Sequence, residues 1–251
     1  MNLSLGTLQK IFFLKPDNYE LETQNAFRKL IKPGMTVFDI GANSGYFTLL
    51  MADLVGKTGR VYSFEPYPPI FKLLKTNVET NNLDQVRLFP IALSDKRGEV
   101  PLSINPVNDG GHSLGTFKNN PDLIGWDTEK LKEIVHTETV DEFMVDQGIG
   151  SVDVIKIDVE GAETLVFAGA KNLLSNSQSP AIICEVGDIA QEQAGKSEKD
   201  LRKLLYGHDY RSYWIDNFRE FDIETPVMGL VNVLFAKDRQ KNISPVLKEF
   251  T

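Results

Sequence analysis

Between Val37 and Leu49 the chain reads VFDIGANSGYFTL, a pattern typical of a strand that turns directly into a helix. The apolar run carries an acid, Asp39, and Gly41 and Gly45 then permit a tight turn, because glycine adopts backbone conformations that other residues avoid. Backbone amides at the start of the following helix favour an anionic ligand group. We therefore expect a ligand-binding turn at the carboxyl end of a buried strand.

Outward from this turn, short apolar runs alternate with segments of helical period. The predicted strands are Thr36–Ile40, Arg60–Glu65, Val86–Leu93, Val152–Asp158, Ala181–Val186, Arg211–Asp216 and Val231–Ala236, with Glu99–Ile104 as an additional candidate. The predicted helices include Gly45–Val55, Pro68–Asn81, Thr139–Gln147, Ala162–Leu174 and Ser197–Tyr206. This alternation predicts a parallel sheet with right-handed crossovers. We expect a Rossmann-like, doubly wound α/β fold of seven strands, with the last two strands paired as a hairpin.

The chain is expected to form a single domain over residues 1–251, because neither an internal repeat nor a low-complexity linker divides it. Residues 1–33 are predicted as an N-terminal helical extension and residues 34–237 as the Rossmann-like core. Glycine, asparagine and proline are frequent in residues 105–125, and long loops of this kind are usually functional. Residues 105–137 are therefore predicted to form a substrate loop or lid.

Composition narrows the class of protein. Hydrophobic residues make up 41% and charged residues 25% of the chain, an ordinary globular balance. The net charge of −8 opposes binding to a nucleic-acid phosphate backbone, so no nucleic-acid partner is expected. No apolar run is long enough to span a membrane, and the single cysteine, Cys184, cannot form an internal disulfide. We expect a cytoplasmic protein without a membrane span.

Two kinds of nucleotide ligand are compatible with a glycine-containing turn, and the residues favour one of them. A dinucleotide-binding turn would carry glycine where Asn43 and Tyr46 stand, so a nicotinamide or flavin cofactor is disfavoured. S-adenosylmethionine has no phosphate, and Asp39 could attract its cationic end while backbone donors of the turn bind its carboxylate. Glu65 ends the second strand, where a carboxylate can accept both ribose hydroxyls. The turn Ala92–Asp95 after the third strand would lie beside the adenine.

Six segments of the chain resemble one family of enzymes. They are VFDIGANSGYFTL (37–49), SFEP (63–66), ALSD (92–95), GGHSL (110–114), TVDEF (139–143) and IKIDVEGAE (155–163). In these segments the chain resembles the FkbM family of class I S-adenosylmethionine-dependent methyltransferases. The resemblance extends from about Met35 to Val186. It implies a seven-stranded sheet with an antiparallel last strand, S-adenosylmethionine as the methyl donor and, usually, an oxygen acceptor.

The resemblance also implies which residues bind the cofactor. The methionine part would be held by Asp39, Gly41, Asn43 and Gly45, and the ribose by Glu65. The full set of residues expected to contact the cofactor is Asp39, Gly41, Ala42, Asn43, Gly45, Tyr46, Glu65, Pro66, Ala92, Leu93 and Asp158.

Methyl transfer to a hydroxyl needs alignment and a group that removes the hydroxyl proton. The catalytic candidates are Asp158 and Glu160, which follow the fourth strand, and His112 in the long loop. A loop histidine could act as a base near neutral pH after the loop closes, or it could simply be solvated. Alternatively, Asp158 contacts the cofactor and an acid caps the helix that begins near Gly161. That capping role is our interpretation for Glu163.

Asp158 and Glu185 end neighbouring strands and resemble the metal-binding carboxylates of catechol-type O-methyltransferases. Oxygen ligands suit magnesium, but a third ligand is missing from the pattern. A divalent metal is therefore compatible with the sequence but is not predicted. Lys156 stands in a strand that should be buried on both faces, so it needs a carboxylate partner or a route to solvent, and it is not expected to be catalytic.

Together these observations predict an S-adenosylmethionine-dependent methyltransferase that methylates a hydroxyl of a small molecule or glycan. The alternatives are N-methylation of an amine or peptide and a non-catalytic cofactor-binding or interaction module, with an oxidoreductase further behind. No Asn/Asp-Pro-Pro-Tyr motif follows the fourth strand, which argues against methylation of nucleobase amines. The sequence is compatible with a homo-oligomer and leaves the identity of the acceptor open.

Overall fold

The computed structural model describes residues 19–108, 111–114, 127–187 and 197–237. The strands within these residues are β1 (Thr36–Ile40), β2 (Arg60–Phe64), β3 (Val86–Phe89), β4 (Ala92–Leu93), β5 (Gly98–Ser103), β6 (Lys132–Glu138), β7 (Val154–Ile157), β8 (Ala181–Gly187), β9 (Arg211–Trp214), β10 (Glu220–Phe221) and β11 (Leu230–Ala236). The helices are α1 (Leu21–Leu30), α2 (Tyr46–Val55), α3 (Pro68–Thr80), α4 (Val140–Asp146), α5 (Glu163–Ala168), α6 (Lys171–Ser175) and α7 (Glu198–Tyr206), with a 3-10 turn at Thr128–Lys130.

The main sheet has the strand order β10-β9-β11-β8-β7-β1-β2-β3. Its strands from β8 to β3 are parallel neighbours, whereas β11 is antiparallel to both β8 and β9. The doubly wound α/β fold class with an antiparallel last strand is therefore confirmed. The sheet has eight strands rather than seven, because the short edge strand β10 pairs with β9. The polar sequence around β10 is typical of a turn, so this strand could not be recognised from its residues.

Both faces of the main sheet are covered, which explains the apolar pattern of its central strands. In β1, Val37, Phe38 and Ile40 are each at most 1% exposed. Val37 belongs to a hydrophobic cluster that includes residues of α1 and α2. Phe38 and Ile40 belong to a second cluster with residues of α4 and α5. Burial on both sides holds β1 in place and so positions the turn that follows it.

The predicted third strand, Val86–Leu93, is divided between two sheets. β3 ends at Phe89 in the main sheet, and after Pro90 the chain enters β4 in a smaller sheet of order β4-β6-β5. Proline has no amide hydrogen to donate to a continuing strand ladder, which accounts for the break. The additional strand expected at Glu99–Ile104 is confirmed as β5 and begins one residue earlier.

The prediction of a loop over residues 105–137 is wrong at its end, where β6 begins at Lys132. β6 pairs antiparallel with β5 and parallel with β4. Val135 and Thr137 are buried whereas Ile134 is 62% exposed, so alternate residues face opposite sides. The partners of β6 lie far earlier in the chain, and composition alone did not reveal the pairing. Residues 109–110 and 115–126 of the predicted loop lie outside the described residues.

The single helix predicted over Ala162–Leu174 is two helices, α5 and α6, which are separated at Gly169. A Cβ on Gly169 would lie 2.0 Å from the carbonyl oxygen of Ser94, so the close approach of the two backbones requires glycine. After the break, the carboxylate of Asp141 accepts a hydrogen bond from the amide of Asn172 at 2.8 Å, at the start of α6. Tertiary contacts therefore interrupt a helical pattern that is continuous in the sequence.

Two predicted helix starts are confirmed. At α4, Thr139 Oγ1 accepts a hydrogen bond from the amide of Glu142 at 3.1 Å. At α7, Ser197 and Asp200 form a reciprocal capping box. These caps satisfy backbone amides that have no partner within their own helix.

Of the predicted N-terminal extension, the structure describes the part from residue 19 onward, where α1 forms. Phe27 and Leu30 of α1 pack into the hydrophobic cluster that contains α2. Residues 1–18 lie outside the described part of the chain. In the ranges that are described, no helix combines the length and apolar character needed to cross a bilayer.

Candidate active site

A cavity of about 360 Å³ opens at the carboxyl ends of β1, β2, β7 and β8. Ligands of doubly wound sheets bind at this edge, and the volume lies in the range of small-molecule sites. The predicted cofactor residues that line it are Gly41, Ala42, Asn43, Tyr46, Glu65, Pro66, Ala92, Leu93 and Asp158. The predicted catalytic residues that line it are Asp158, Glu160 and His112. Two predicted cofactor residues, Asp39 and Gly45, are not part of the cavity wall.

The turn between β1 and α2 is held by backbone contacts with its neighbours. The amides of Gly41 and Ala42 donate hydrogen bonds to the carbonyl oxygen of Phe64, at 3.1 and 2.9 Å. Gly41 has φ of 78°, and a Cβ there would lie 1.8 Å from the carbonyl oxygen of Asp158. Gly45, with φ of 93°, is the N-cap of α2. The turn can therefore lie against both neighbouring strands only with glycine at residue 41.

Asp39 lies fully buried on β1, next to this turn. Its Oδ2 accepts a hydrogen bond from Thr48 Oγ1 at 2.6 Å, and its Oδ1 has no hydrogen-bond partner among the described residues. Burial raises the pKa of the Asp39 carboxyl, and the ammonium of Lys156 opposes that rise. An unpaired buried carboxylate oxygen is costly. Oδ1 therefore suits a water molecule or a cationic ligand group held at the turn.

Glu65 follows β2 and is 6% exposed. Its two carboxylate oxygens accept hydrogen bonds from the amide of Asn43, at 3.1 Å, and from the amide of Tyr67, at 2.8 Å. Burial raises the pKa of Glu65 to about 7, although both hydrogen bonds oppose the rise. Each oxygen keeps a further lone pair. The fixed carboxylate can therefore accept hydrogen bonds from two adjacent hydroxyls, such as those of a ribose.

Three carboxylates meet after β7 and near the end of β8, and we call Asp158, Glu160 and Glu185 the carboxylate cluster. Their oxygen atoms lie within 4.8 Å of one another. Burial, with the charges of Asp158 and Glu163, raises the pKa of Glu160 to about 8. Burial also raises the pKa of Glu185 well above its usual range, and Asp158 and Glu160 add to that rise. The environment of Glu160 and Glu185 therefore favours their protonated forms over their carboxylates.

Glu160 supplies the third oxygen ligand that the sequence pattern lacked, so the cluster could hold a divalent cation such as Mg²⁺. The ammonium group of Lys156 also lies beside this cluster. Lys156 Nζ lies 2.9 Å from Asp158 Oδ2, and the lysine side chain is only 3% exposed. The carboxylate partner expected for Lys156 is therefore confirmed.

His112 lines the cavity, and a backbone amide binds one of its ring nitrogens. Its Nδ1 accepts a hydrogen bond from the amide of Asn105 at 3.0 Å, so the proton of the neutral ring lies on Nε2. The edge of the ring packs against Tyr67, with 4.4 Å between the ring centroids. The ring nitrogen that could accept a proton is thus engaged by a backbone amide. The role of His112 as a base stays a prediction, which substitution of the residue tests.

Glu163 is the first residue of α5, and its carboxylate binds the loop that precedes the helix instead of capping the helix. It is 1% exposed, and its Oε1 accepts hydrogen bonds from the amides of Val159, at 3.3 Å, and Gly161, at 3.2 Å. Between them stands Glu160, whose φ of 53° lies in the left-handed region that strains most residues. Ser113 Oγ donates a hydrogen bond to the carbonyl oxygen of Glu160 at 2.6 Å. These contacts hold the loop that carries Glu160.

Two residues of the cavity wall, Tyr19 and Glu20, were missed by sequence reasoning. The ring of Tyr19 packs edge-on against Tyr46, with 5.1 Å between the ring centroids. Glu20 Oε2 accepts a hydrogen bond from Asn232 Nδ2 at 2.9 Å, which ties the start of α1 to β11. Neither residue belongs to a motif, and the second contact joins opposite ends of the chain. No local sequence signal could have identified them.

The fold and the cavity together have the arrangement of a class I S-adenosylmethionine-dependent methyltransferase. A crystal structure of a methylase from Clostridium thermocellum, provisionally assigned to ribosomal RNA, shares the fold. The TM-score is 0.51 and the identity 15%, and the alignment covers 86% of this chain and 93% of that one. The chain belongs to the FkbM methyltransferase family, because the model of the methyltransferase FkbM domain matches residues 39–212.

Two proteins that are similar to this chain in sequence are also methyltransferases. The 2-O-methyltransferase NoeI of Sinorhizobium fredii (strain NBRC 101917 / NGR234) is 31% identical over 157 residues, covering 59% of this chain and 63% of NoeI. The 31-O-demethyl-FK506 methyltransferase FkbM of Streptomyces tacrolimicus is 29% identical over 200 residues, covering 72% of this chain and 74% of that protein. The matched part of the chain thus spans less than two thirds of NoeI and about three quarters of the Streptomyces protein.

Proposed function

We propose that this chain transfers a methyl group from S-adenosylmethionine to a hydroxyl group of a small molecule or glycan. The observation that supports this most strongly is a single cavity lined both by the expected cofactor residues and by the carboxylate cluster. The names of NoeI and of the Streptomyces FkbM protein both specify oxygen as the position of methylation. They favour a hydroxyl acceptor over an amine.

When bound, S-adenosylmethionine would supply a methyl group already activated by a sulfonium centre. Glu65 would accept hydrogen bonds from the ribose hydroxyls, and Ala92 and Leu93 would lie beside the adenine. Asp39 would act on the methionine end, directly or through a water molecule at its unpaired Oδ1. Such residues would align the methyl group with the acceptor, and alignment can supply up to about 7–11 kcal/mol in well-oriented systems.

The acceptor hydroxyl must lose its proton, and we assign that step to Glu160. This residue lines the cavity, and a pKa of about 8 suits a base that works near neutral pH. Its strained backbone, with φ of 53°, is the kind of conformation that clusters at functional sites. Asp158 pairs with Lys156 instead, so we assign it to the cofactor side of the cavity.

The experiment measures acceptor-dependent formation of S-adenosylhomocysteine by the wild-type chain and by Glu160→Gln as the pH is varied. For the wild type we expect turnover to rise with pH and to level off above about 8, because Glu160 must be ionised to accept a proton. Removing the carboxylate should lower turnover by about 10²- to 10⁴-fold and abolish the rise. Binding of S-adenosylhomocysteine should stay within about twofold of wild type, since Glu160 is not assigned to the cofactor.

Two variants serve as controls. Glu185→Gln should retain the rise near the same pH, because burial and the charges of Asp158 and Glu163 raise the pKa of Glu160. His112→Gln should leave the rise in place, since the amide of Asn105 already binds its Nδ1. An unchanged profile in Glu160→Gln would reject the assignment of the base. Loss of wild-type turnover in a chelator would assign the carboxylate cluster to a metal ion instead.

A further inference from the structure

Lys156 is a buried cation in the wall of the cavity. It is 2% exposed, and it is the single lysine or arginine among the described residues that line the cavity. In the pairing of β7 with β1 it stands opposite Asp39, so the two side chains point to the same face of the sheet. A buried ammonium is costly unless its N–H donors are satisfied. Lys156 therefore needs hydrogen-bond acceptors inside the cavity.

Within the described ranges, Lys156 Nζ makes one hydrogen bond, to Asp158 Oδ2 at 2.9 Å. An ammonium has three N–H donors, so donors remain for a further acceptor. The ring of Phe47 lies 5.2 Å from Nζ and adds a favourable but non-directional contact. The remaining donors are available to an anionic group that enters the cavity.

Carboxylates outnumber ammonium groups around Lys156. Asp158 contacts its Nζ, Asp39 stands opposite it on β1, and Glu20 lines the same cavity. Three carboxylates against one ammonium leave an excess of negative charge, which a cationic group could neutralise. Glu20 carries its side chain into the cavity wall from a residue with φ of 44°, a strained conformation. The side-chain amide of Asn232 holds its Oε2.

We propose that Lys156 and Glu20 together bind the amino-acid end of S-adenosylmethionine. Lys156 donates to the α-carboxylate, and Glu20 accepts from the α-ammonium. The α-carboxylate of this zwitterion would accept hydrogen bonds from the remaining donors of Lys156. Its α-ammonium would neutralise the excess negative charge at Glu20. The inference rests on the proposed function, which requires that this cofactor occupies the cavity. Lys156 would then share the cofactor carboxylate with the backbone donors of the turn after β1.

A purely structural ion pair between Lys156 and Asp158 is the competing explanation. Such a pair would stabilise the fold but would not distinguish ligands by their amino-acid end. The two explanations are separated by ligands that differ only at that end. S-adenosylhomocysteine carries both charged groups, its decarboxylated form carries the ammonium alone, and 5′-methylthioadenosine carries neither.

The experiment is calorimetric binding of these three ligands to the wild-type chain and to Lys156→Gln and Glu20→Gln. With the wild type, loss of the carboxylate should weaken binding by about 10- to 100-fold, the range expected for a charge-assisted hydrogen bond. Lys156→Gln should weaken the binding of S-adenosylhomocysteine by the same factor. The affinity of the other two ligands should stay within about twofold of the wild-type value or increase. Glu20→Gln should weaken both ligands that carry the ammonium and spare 5′-methylthioadenosine.

Lys75→Gln is the matched control, because that lysine lies on α3 with its side chain 58% exposed; it should bind all three ligands as the wild type does. If the wild type binds S-adenosylhomocysteine and 5′-methylthioadenosine equally well, this inference is overturned while the proposed function stands. If the wild type binds none of the three, the proposed function fails first. Should Lys156→Gln fail to fold, the ligand series on the wild type still decides the question.

Discussion

Glu65 illustrates, at the scale of a single residue, how burial and hydrogen bonding compete. Burial favours the neutral acid and raises its pKa to about 7, while the amides of Tyr67 and Asn43 favour the carboxylate. The charges of Asp39 and Asp158 add to the rise. The side chain is therefore held in one place by the backbone and yet changes its charge near neutral pH.

We expect this titration to govern cofactor affinity. The ionised form accepts both ribose hydroxyls, whereas the protonated form loses an acceptor, so binding should weaken as the pH falls through about 7. For one group with that pKa, S-adenosylhomocysteine should bind about tenfold more weakly at pH 6 than at pH 8. Calorimetry across this range measures the change. Glu65→Gln should bind about 10- to 100-fold more weakly at high pH and should lose this step, and a step that persists unchanged would assign it to another group.

At the scale of elements, the turn after β1 joins three strands of the main sheet. Gly41 and Ala42 donate to the carbonyl oxygen of Phe64 on β2, and the amide of Asp158 donates to the carbonyl oxygen of Ile40 at 3.1 Å. The expected cofactor turn and the carboxylate cluster therefore share one backbone junction. A disturbance of this junction should affect both.

We expect Gly41→Ala to lower the free energy of unfolding by about 2–4 kcal/mol. The added Cβ would lie 1.8 Å from the carbonyl oxygen of Asp158, so the turn would have to move away from β7. Chemical denaturation measures the loss. Gly150→Ala is the control, because a Cβ there meets nothing within 4 Å, and its effect should stay within about 0.5 kcal/mol. Similar losses at the two positions would contradict the close packing of the turn.

At the scale of the whole molecule, acidic residues outnumber basic ones both in the chain, whose net charge is −8, and in the lining of the cavity. The charged side chains that line it are Glu20, Glu65, Asp158, Glu160, Glu185 and the single Lys156. Low-dielectric walls of one sign attract cations and repel anions. A cofactor with a positive sulfonium suits such a lining, and so does an acceptor without negative charge.

We therefore expect neutral acceptors to be preferred over carboxylate-bearing ones. Between a neutral sugar and the matching uronic acid, kcat/KM should favour the neutral member at least about tenfold, because like charges that face each other cost several kcal/mol. Competition assays at constant ionic strength measure the ratio. The ratio should fall as the pH is lowered from 9 to 7, because Glu160, whose pKa is about 8, then loses its charge and its repulsion of the uronic acid. A uronic acid that is methylated as well as its neutral counterpart would refute this view of the acceptor site.

A large part of the fold could be predicted because its signals are local. The alternation of apolar runs and helical periods identified the strands of the parallel sheet, and Thr139 and Ser197 marked the starts of two helices. The second sheet that the chain enters after Pro90, the strand β6 and the break at Gly169 depended on partners elsewhere in the chain. Such partners leave no periodic trace in the segment that they reshape.

By itself the sequence determined the class of fold, the turn after β1 and eleven of the residues that line the cavity. Parallel strands end at a common edge, so acids and glycines that follow successive strands are brought together by the fold class alone. Only the tertiary structure decided the rest. It placed Glu20 and Lys156 in one cavity, directed Nδ1 of His112 toward the amide of Asn105 and gave Asp158 and Glu185 a third carboxylate in Glu160. Burial and long-range contacts set these properties, and both depend on the three-dimensional arrangement rather than on neighbours in the chain.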